Sequence, residues 1–324
     1  MRFNILRKLA ASAVVCAAAF SAAAAGTYPE KTVFLVIPFA PGGTNDIVGR
    51  LVASELSKKY PKSVIADNRA GGGGVVGWGQ VAKAQPDGYT LLTSDMSFAI
   101  AAGLLPKLSF DPKKDFVPVS TVATVPFVVV VNAEVPAKTI QEFVALAKSK
   151  PGQLNYGSAG NGTNSHLAAE LFKQKANVNL THVPYKGAAA AMSDLMGHQI
   201  DVLFTALPTA LSQIRSGRIR ALMVTSNERV AVLPDVPSAK EAGLPEMEMN
   251  FWAGVAAPTG TPADVVEKLN ADITASLASP SARKVLADQG LTPVGDSPAD
   301  ARAFMNSEID RWAALVKSAN IKPD

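Results

Sequence analysis

Short, nearly all-apolar runs alternate along this chain with stretches of helical period. The runs are TVFLVI (32–37), SVIAD (63–67), YTLLTS (89–94), PFVVVVN (126–132), LNYGS (154–158), DVLFT (201–205), RALMVTS (220–226) and WAGVAAP (252–258). All are strand-sized, and most are rich in β-branched residues. The amphipathic stretches are IVGRLVASELSKK (47–59), VVGWGQVAKA (75–84), TIQEFVALAKS (139–149), SHLAAELFKQKA (165–176), AAAAMSDLMGHQ (188–199), LSQIRSGR (211–218), ADVVEKLNADITASLA (263–278) and ARAFMNSEIDRWAALVKSA (301–319). Apolar runs without alternation predict strands covered on both faces. Strands spaced by helices predict βαβ units. The expected fold class is α/β, with mostly parallel sheets flanked by helices.

Two strand-to-helix joints echo each other. PFAPGGTND (38–46) follows the first strand, and SAGNGTNSH (158–166) follows a later one. Both place Gly-Thr-Asn just before a helix. One reading makes them ordinary turns in which Thr44, Asn45, Thr163 and Asn164 cap helices. The other makes them two glycine-rich helix starts on two sheets that face one ligand across a cleft. The residues alone leave both open. AGGGG (70–74) predicts positive φ or a close backbone approach at another strand-to-helix joint. QPDGY (85–89), LPDVPS (233–238) and APTGTP (257–262) punctuate the chain before new elements.

The N-terminus sets the expected compartment. Arg2, Arg7 and Lys8 precede LAASAVVCAAAF, and SAAAAG supplies small residues for cleavage. This order predicts a secretory signal peptide over 1–25, too short in its apolar core to span a bilayer. A lipoprotein reading would use Cys16, but Val15 is wrong just before a lipidated cysteine. Loss of the leader removes the single cysteine and three of the 31 basic residues, leaving 28 against 27 acidic ones and a net charge of +1. The sequence pI of about 9.0 is thus partly a leader effect. No basic stripe with interleaved aromatics exists, which argues against nucleic acid. The remaining length suits two domains, and a periplasmic binding protein or a periplasmic enzyme fits all of this.

The motifs exclude several chemistries. The first loop lacks the Gly-Lys-Ser/Thr ending of a phosphate loop, and it has no G-x-G-x-x-G. Its free backbone N–H groups at a helix start favour an anion. Asp46 in the same turn would repel a carboxylate, so it is either a cap or a holder of a water, hydroxyl or ammonium of the ligand, and the cap or water role is preferred. Tyr156-Gly157-Ser158-Ala159-Gly160 has Tyr where a nucleophile elbow needs Gly. His166 and Glu170 are four apart, but two ligands do not make a metal site. His182 and His198 read as structural. Asp95 ends a strand, where it would either cap a turn or meet an ammonium or hydroxyl. Tyr185 and Thr205 end two further strands. No catalytic set emerges.

At this point "YPEKTVFLVIPFAPGGTNDIVGRLVASEL", "DNRAGGGGVVGWGQVAKAQPDGYTLL", "FDPKKDFVPVS", "YGSAGNGTNSHLAAELF", "THVPYKGAAAAMSDLMGHQIDVLF" and "LPDVPSAKEAGLPEMEMNFWAGVAAPTGTP" matter as an ordered set. In that order they resemble the substrate-binding proteins of tripartite tricarboxylate transporters, the Bug-type receptors. The resemblance covers essentially all the chain after the leader. It implies a two-lobed Venus-flytrap fold, with lobe 1 formed by 26–123 plus 250–324 and lobe 2 by 124–249. It implies a periplasmic receptor that closes on a small organic acid and delivers it to permease subunits in the membrane. The ligand carboxylate would be held by the two glycine-rich loops, here through Phe39, Ala40, Gly43, Thr44 and Asp46, and through Ser158, Ala159, Gly160, Thr163 and Asn164. Ser94, Asp95, Tyr185 and Thr205 would read the rest of the ligand. No cofactor, metal or nucleic acid is expected, and the receptor is expected to act as a monomer. A further role, signalling to the ectodomain of a sensor, is compatible with this. Asp95 departs from the family pattern and favours an amino or hydroxy acid over a simple di- or tricarboxylate. The competing reading is a periplasmic hydrolase with Ser158 as nucleophile and His166 or His182 as base.

Overall fold

The computed structural model describes residues 28–105 and 107–318; the expected leader, with Cys16, lies outside them. Strand β1 (Val33–Ile37) leads into helix α1 (Thr44–Ser57), and β2 (Val64–Asn68) leads through a 3₁₀ turn at Gly72–Gly74 into α2 (Val75–Ala82). Then come β3 (Thr90–Asp95) and α3 (Met96–Leu104). The 17-residue strand β4 (Phe116–Asn132) follows. After it come α4 (Ile140–Ser149), β5 (Asn155–Ser158), α5 (Asn164–Ala176), β6 (Thr181–Pro184), α6 (Ala188–Met196), β7 (Val202–Ala206), α7 (Leu207–Arg215) and β8 (Ile219–Val224). The chain closes with β9 (Asn250–Pro258), α8 (Ala263–Leu277), α9 (Pro280–Asp288), β10 (Thr292–Pro293) and α10 (Pro298–Ser318).

The strands form two sheets that share β4. In the first, the order is β2-β1-β3-β9-β4, with β10 on β4. In the second, β4 pairs with β7 and β8, and β7 continues to β5 and β6. Strand β4 passes from one sheet to the other between Pro126, which faces Asn250 of β9, and Phe127, which faces Ala206 of β7. The chain returns to the first sheet through the segment between β8 and β9. Parallel pairing is confined to β2-β1-β3 and β7-β5-β6. The passing strands β4 and β9 pair antiparallel, so each sheet of this two-lobed α/β fold is mixed.

Packing explains the element choices. Strand β1 is buried at Val33, Leu35, Val36 and Ile37, while Phe34 of β1 and Ile65 of β2 stay exposed. Against the first sheet Trp78, Phe98, Phe110 and Phe116 cluster edge-to-face, except that Phe98 and Phe110 stack. In the second, Phe172 packs on Phe143 and Phe204. Helix α10 returns to the first sheet and lies against α3 at Gly103, where a Cβ would sit 2.5 Å from Ala313 Cα. Two indoles, from Trp252 of β9 and Trp312 of α10, donate to the same oxygen of buried Glu308, each at 2.9 Å.

Candidate functional site

The two glycine-rich joints meet. A narrow cleft of about 40 Å³ lies between the sheets. Phe39, Ala40, Gly43 and Thr44 line it from the β1–α1 loop, and Ala159 and Asn164 from the β5–α5 loop. Asp95 and Ser97 come from the β3–α3 turn, and Thr205, Ala206 and Thr209 from β7 and α7. Asn45, Ala188 and Phe251 complete the lining. Asp95 is the only ionisable side chain among these residues, so no Lys, Arg or His faces the cleft among the described residues.

Both facing helices start without a side-chain cap: the N-cap residues are Gly43 for α1 and Thr163 for α5. Thr163 Oγ1 instead donates to Gly160 O at 2.7 Å. Each helix start is reached by a hydroxyl from across the cleft. Thr44 N–H donates to Thr209 Oγ1 at 3.1 Å, and the two hydroxyls lie 3.0 Å apart. Asn164 N–H donates to Ser97 Oγ at 3.1 Å. The helix dipoles make both starts attractive to an anion's oxygens.

The AGGGG segment is a spacer. Gly71 to Gly74 all have positive φ, and a Cβ on Gly73 would lie 2.6 Å from Asn161 O of the second loop. Only glycine permits both this conformation and this approach.

The candidate residues from the sequence separate into two groups. Phe39, Ala40, Gly43, Thr44, Asp95, Ala159, Asn164 and Thr205 line the cleft. Asp46, Ser94, Ser158, Gly160, Thr163 and Tyr185 stand behind it. Asp46 accepts from Gly42 N–H at 3.0 Å, from Asn68 Nδ2 at 2.9 Å and from Arg50 Nε at 3.0 Å. Burial alone would raise its pKa, but these bonds outweigh burial and hold the carboxyl below the usual range. Ser94 is buried on the β3–β9 ladder opposite Gly254. Tyr185 donates to Asp194 Oδ2 at 2.7 Å. Gly160 sits beside Gly73, at the meeting of the loops.

Ser158 has the partner a hydrolase would require, with its Oγ 2.6 Å from His182 Nε2. The surroundings deny it that role. Ser158 is fully buried, and its Oγ also accepts from Gly160 N–H and donates to Gly160 O. His182 is stacked in a column with Tyr156 and His166, at 4.7 and 4.4 Å. This network shapes the loop rather than facing a substrate.

Asp95 is more unusual. Its Oδ1 caps α3, accepting from Ser97 N–H at 2.9 Å and Phe98 N–H at 3.3 Å. Desolvation pushes its pKa up to about 6, offset only in part by those N–H groups and the nearby Asn45 amide. Asn45 is buried, and neither end of its amide makes a hydrogen bond within the protein. Sequence reasoning took Asn45 only as a helix cap. Ser97, Thr209, Ala188, Ala206 and Phe251 carried no motif; the pattern Asp95-x-Ser97 at a strand end was the one local hint.

Comparison with known proteins places this geometry. The profile of the tripartite tricarboxylate transporter family receptor matches residues 48–321. Protein BugT of Bordetella pertussis is 36% identical over 323 residues, spanning 98% of this chain and 99% of its own. The periplasmic binding protein BugD superposes with a TM-score of 0.88 at 35% identity, over 92% of this chain and 100% of its own. The R. palustris protein Rpa4515, solved with adipate, gives a TM-score of 0.88 at 36% identity with the same coverage, 92% and 100%. MatC from Rhodopseudomonas palustris, solved with bound malate, gives 0.85 at 34% identity over 89% of this chain and 100% of its own. Matched in sequence and fold along nearly all of its length, the chain belongs to the tripartite tricarboxylate transporter receptor family, whose members are solute-binding receptors and not enzymes.

Proposed function

We propose that this protein captures a small organic carboxylate in the cleft between its two sheets and hands it to the permease subunits of a tripartite tricarboxylate transporter. The observation that carries this reading is the pairing of two uncapped helix starts across one cleft. Backbone N–H groups and hydroxyls can hold a carboxylate there without a cationic side chain. The contacts fall to the lining members of the candidate set: Phe39, Ala40, Gly43, Thr44, Asp95, Ala159, Asn164 and Thr205. The adipate and malate held by two solved relatives agree with a carboxylate ligand.

Residues 26–123 with 250–324 act as one lobe and 124–249 as the other. Strands β4 and β9 form the hinge, and the cross-cleft bonds of Thr44 to Thr209 and Asn164 to Ser97 fasten the closed form. The N-terminal leader directs the protein to the periplasm. A thermal-shift screen of organic acids tests the reading. A true ligand at one hundred times its Kd adds about 2.7 kcal/mol to the stability of the native state. If no carboxylate of any class raises Tm, the reading fails.

A further inference from the structure

The cleft lining holds one acidic side chain and no basic one. Two helix starts supply roughly half a positive charge each, enough to offset about one carboxylate. A second carboxylate would lie in the same cleft as Asp95 with nothing to balance it. Asp95 Oδ1 is taken up by α3, and the Asn45 and Ser97 side chains lie close enough to act on the carboxylate, which lines the cleft. Beside it the Asn45 amide, 96% buried, has both its oxygen and its nitrogen unpartnered. Buried polar groups without partners are costly, which points to a partner brought by the ligand. An amide presents an acceptor and a donor side by side. Its complement is a donor and an acceptor on one carbon.

We infer that the ligand is an α-amino acid, its carboxylate at the two glycine turns and its ammonium against Asp95 Oδ2 and the Asn45 amide oxygen. Asp95 and Asn45 are then the specificity-determining pair. Asn45 bridges the two polar groups of the ligand, its nitrogen donating to the carboxylate. Phe39, Phe251 and the alanines leave an apolar wall for the side chain. This inference rests on the receptor reading above and narrows it.

Titration calorimetry tests it with matched probes: L-valine and L-aspartate, their α-hydroxy counterparts 2-hydroxyisovalerate and malate, and adipate. At pH 7.5 at least one amino acid should bind tenfold or more tighter than its hydroxy counterpart, because a charge-assisted bond is lost with the ammonium. Asp95→Asn, which keeps the α3 cap, should cost that amino acid tenfold or more and alter the hydroxy acid less than threefold. Asn45→Ala should weaken the same ligand. The melts of both ligand-free variants show whether each remains folded. Amino-acid affinity should fall as pH drops through about 6, where Asp95 takes up a proton. The groups acting on Asp95 are Asn45 of α1 and Ser97 and Phe98 of α3, with Ala253 facing it on β9, and none of them titrates. Tighter binding of malate, 2-hydroxyisovalerate or adipate, or an Asp95→Asn variant that binds the amino acid as well as before, overturns the inference and leaves the receptor reading intact. If none of the probes binds and a wider acid screen is also silent, both fall.

Discussion

Two strand-to-helix turns of the first sheet each carry a buried aspartate, and the two do opposite things. In the β1–α1 loop, Asp46 is surrounded by donors: Arg50, Asn68 and the Gly42 N–H. In the β3–α3 turn, Asp95 has two N–H groups on one oxygen and otherwise faces the cleft. Their pKa values move apart, Asp46 down and Asp95 up to about 6. Desolvation bears harder on Asp95, which lies deeper, while Asp46 alone has a cationic partner in Arg50. A carboxylate whose bonds are all made inside the protein is scaffold. One left half-satisfied at a cleft is available to a ligand.

The sharpest way to break this comparison is Asp46→Ala. It removes the acceptor for Gly42, Asn68 and Arg50, and should destabilise the native state by about 3 kcal/mol in urea titrations. A loss under about 1 kcal/mol would mean the web is not scaffold. Because its folded pKa is depressed, the contribution of Asp46 is present above the unfolded pKa near 4 and is lost as pH falls through the lower folded value.

Asp95→Asn should act with the opposite sign. With a folded pKa raised to about 6, Asp95 lowers stability as pH climbs from about 4 to about 6, because the unfolded chain gives up its proton first. The variant should gain about 2 kcal/mol at pH 8 and flatten that part of the stability profile. A destabilised variant at pH 8 would place Asp95 with Asp46 as a structural group.

Ser158→Ala probes the corresponding support of the second loop. It removes one partner of His182 and the acceptor of the Gly160 N–H, and should cost about 1–2 kcal/mol of stability with ligand affinity changed less than threefold. The smallest expected effect is Thr209→Val. It removes the bond to Thr44 across the cleft, and calorimetry should show ligand affinity reduced about fivefold with an unchanged melt of the ligand-free protein.

Much of the fold was legible. The apolar runs mark β1, β3, β7 and the second half of β4, because strands with most residues buried leave continuous apolar text. Helix α3 was not, since MSFAIAAGL is buried almost all round and shows no polar face. The first half of β4 was also missed. FVPVSTVAT contains a proline and mixes polar with apolar residues, and it is a strand because β9 runs beside it. In the site, both glycine turns and Asp95 could be named in advance. Ser97 could not, because it sits on the missed helix, and Thr209 could not, because nothing in its neighbourhood marks a hydroxyl that crosses a cleft.

By itself the sequence determined the α/β alternation and the two glycine-rich helix starts, because each is written in local periodicity and residue type. Only the tertiary structure decided which polar groups face the cleft. Asp46 and Asp95 look alike as text, both acidic beside a strand-to-helix joint. Arg50 and Asn68 turn one inward to hold a loop, and the meeting of two sheets leaves the other, with Asn45, at the wall of the cleft. That difference is made by distance and burial between residues far apart in the chain.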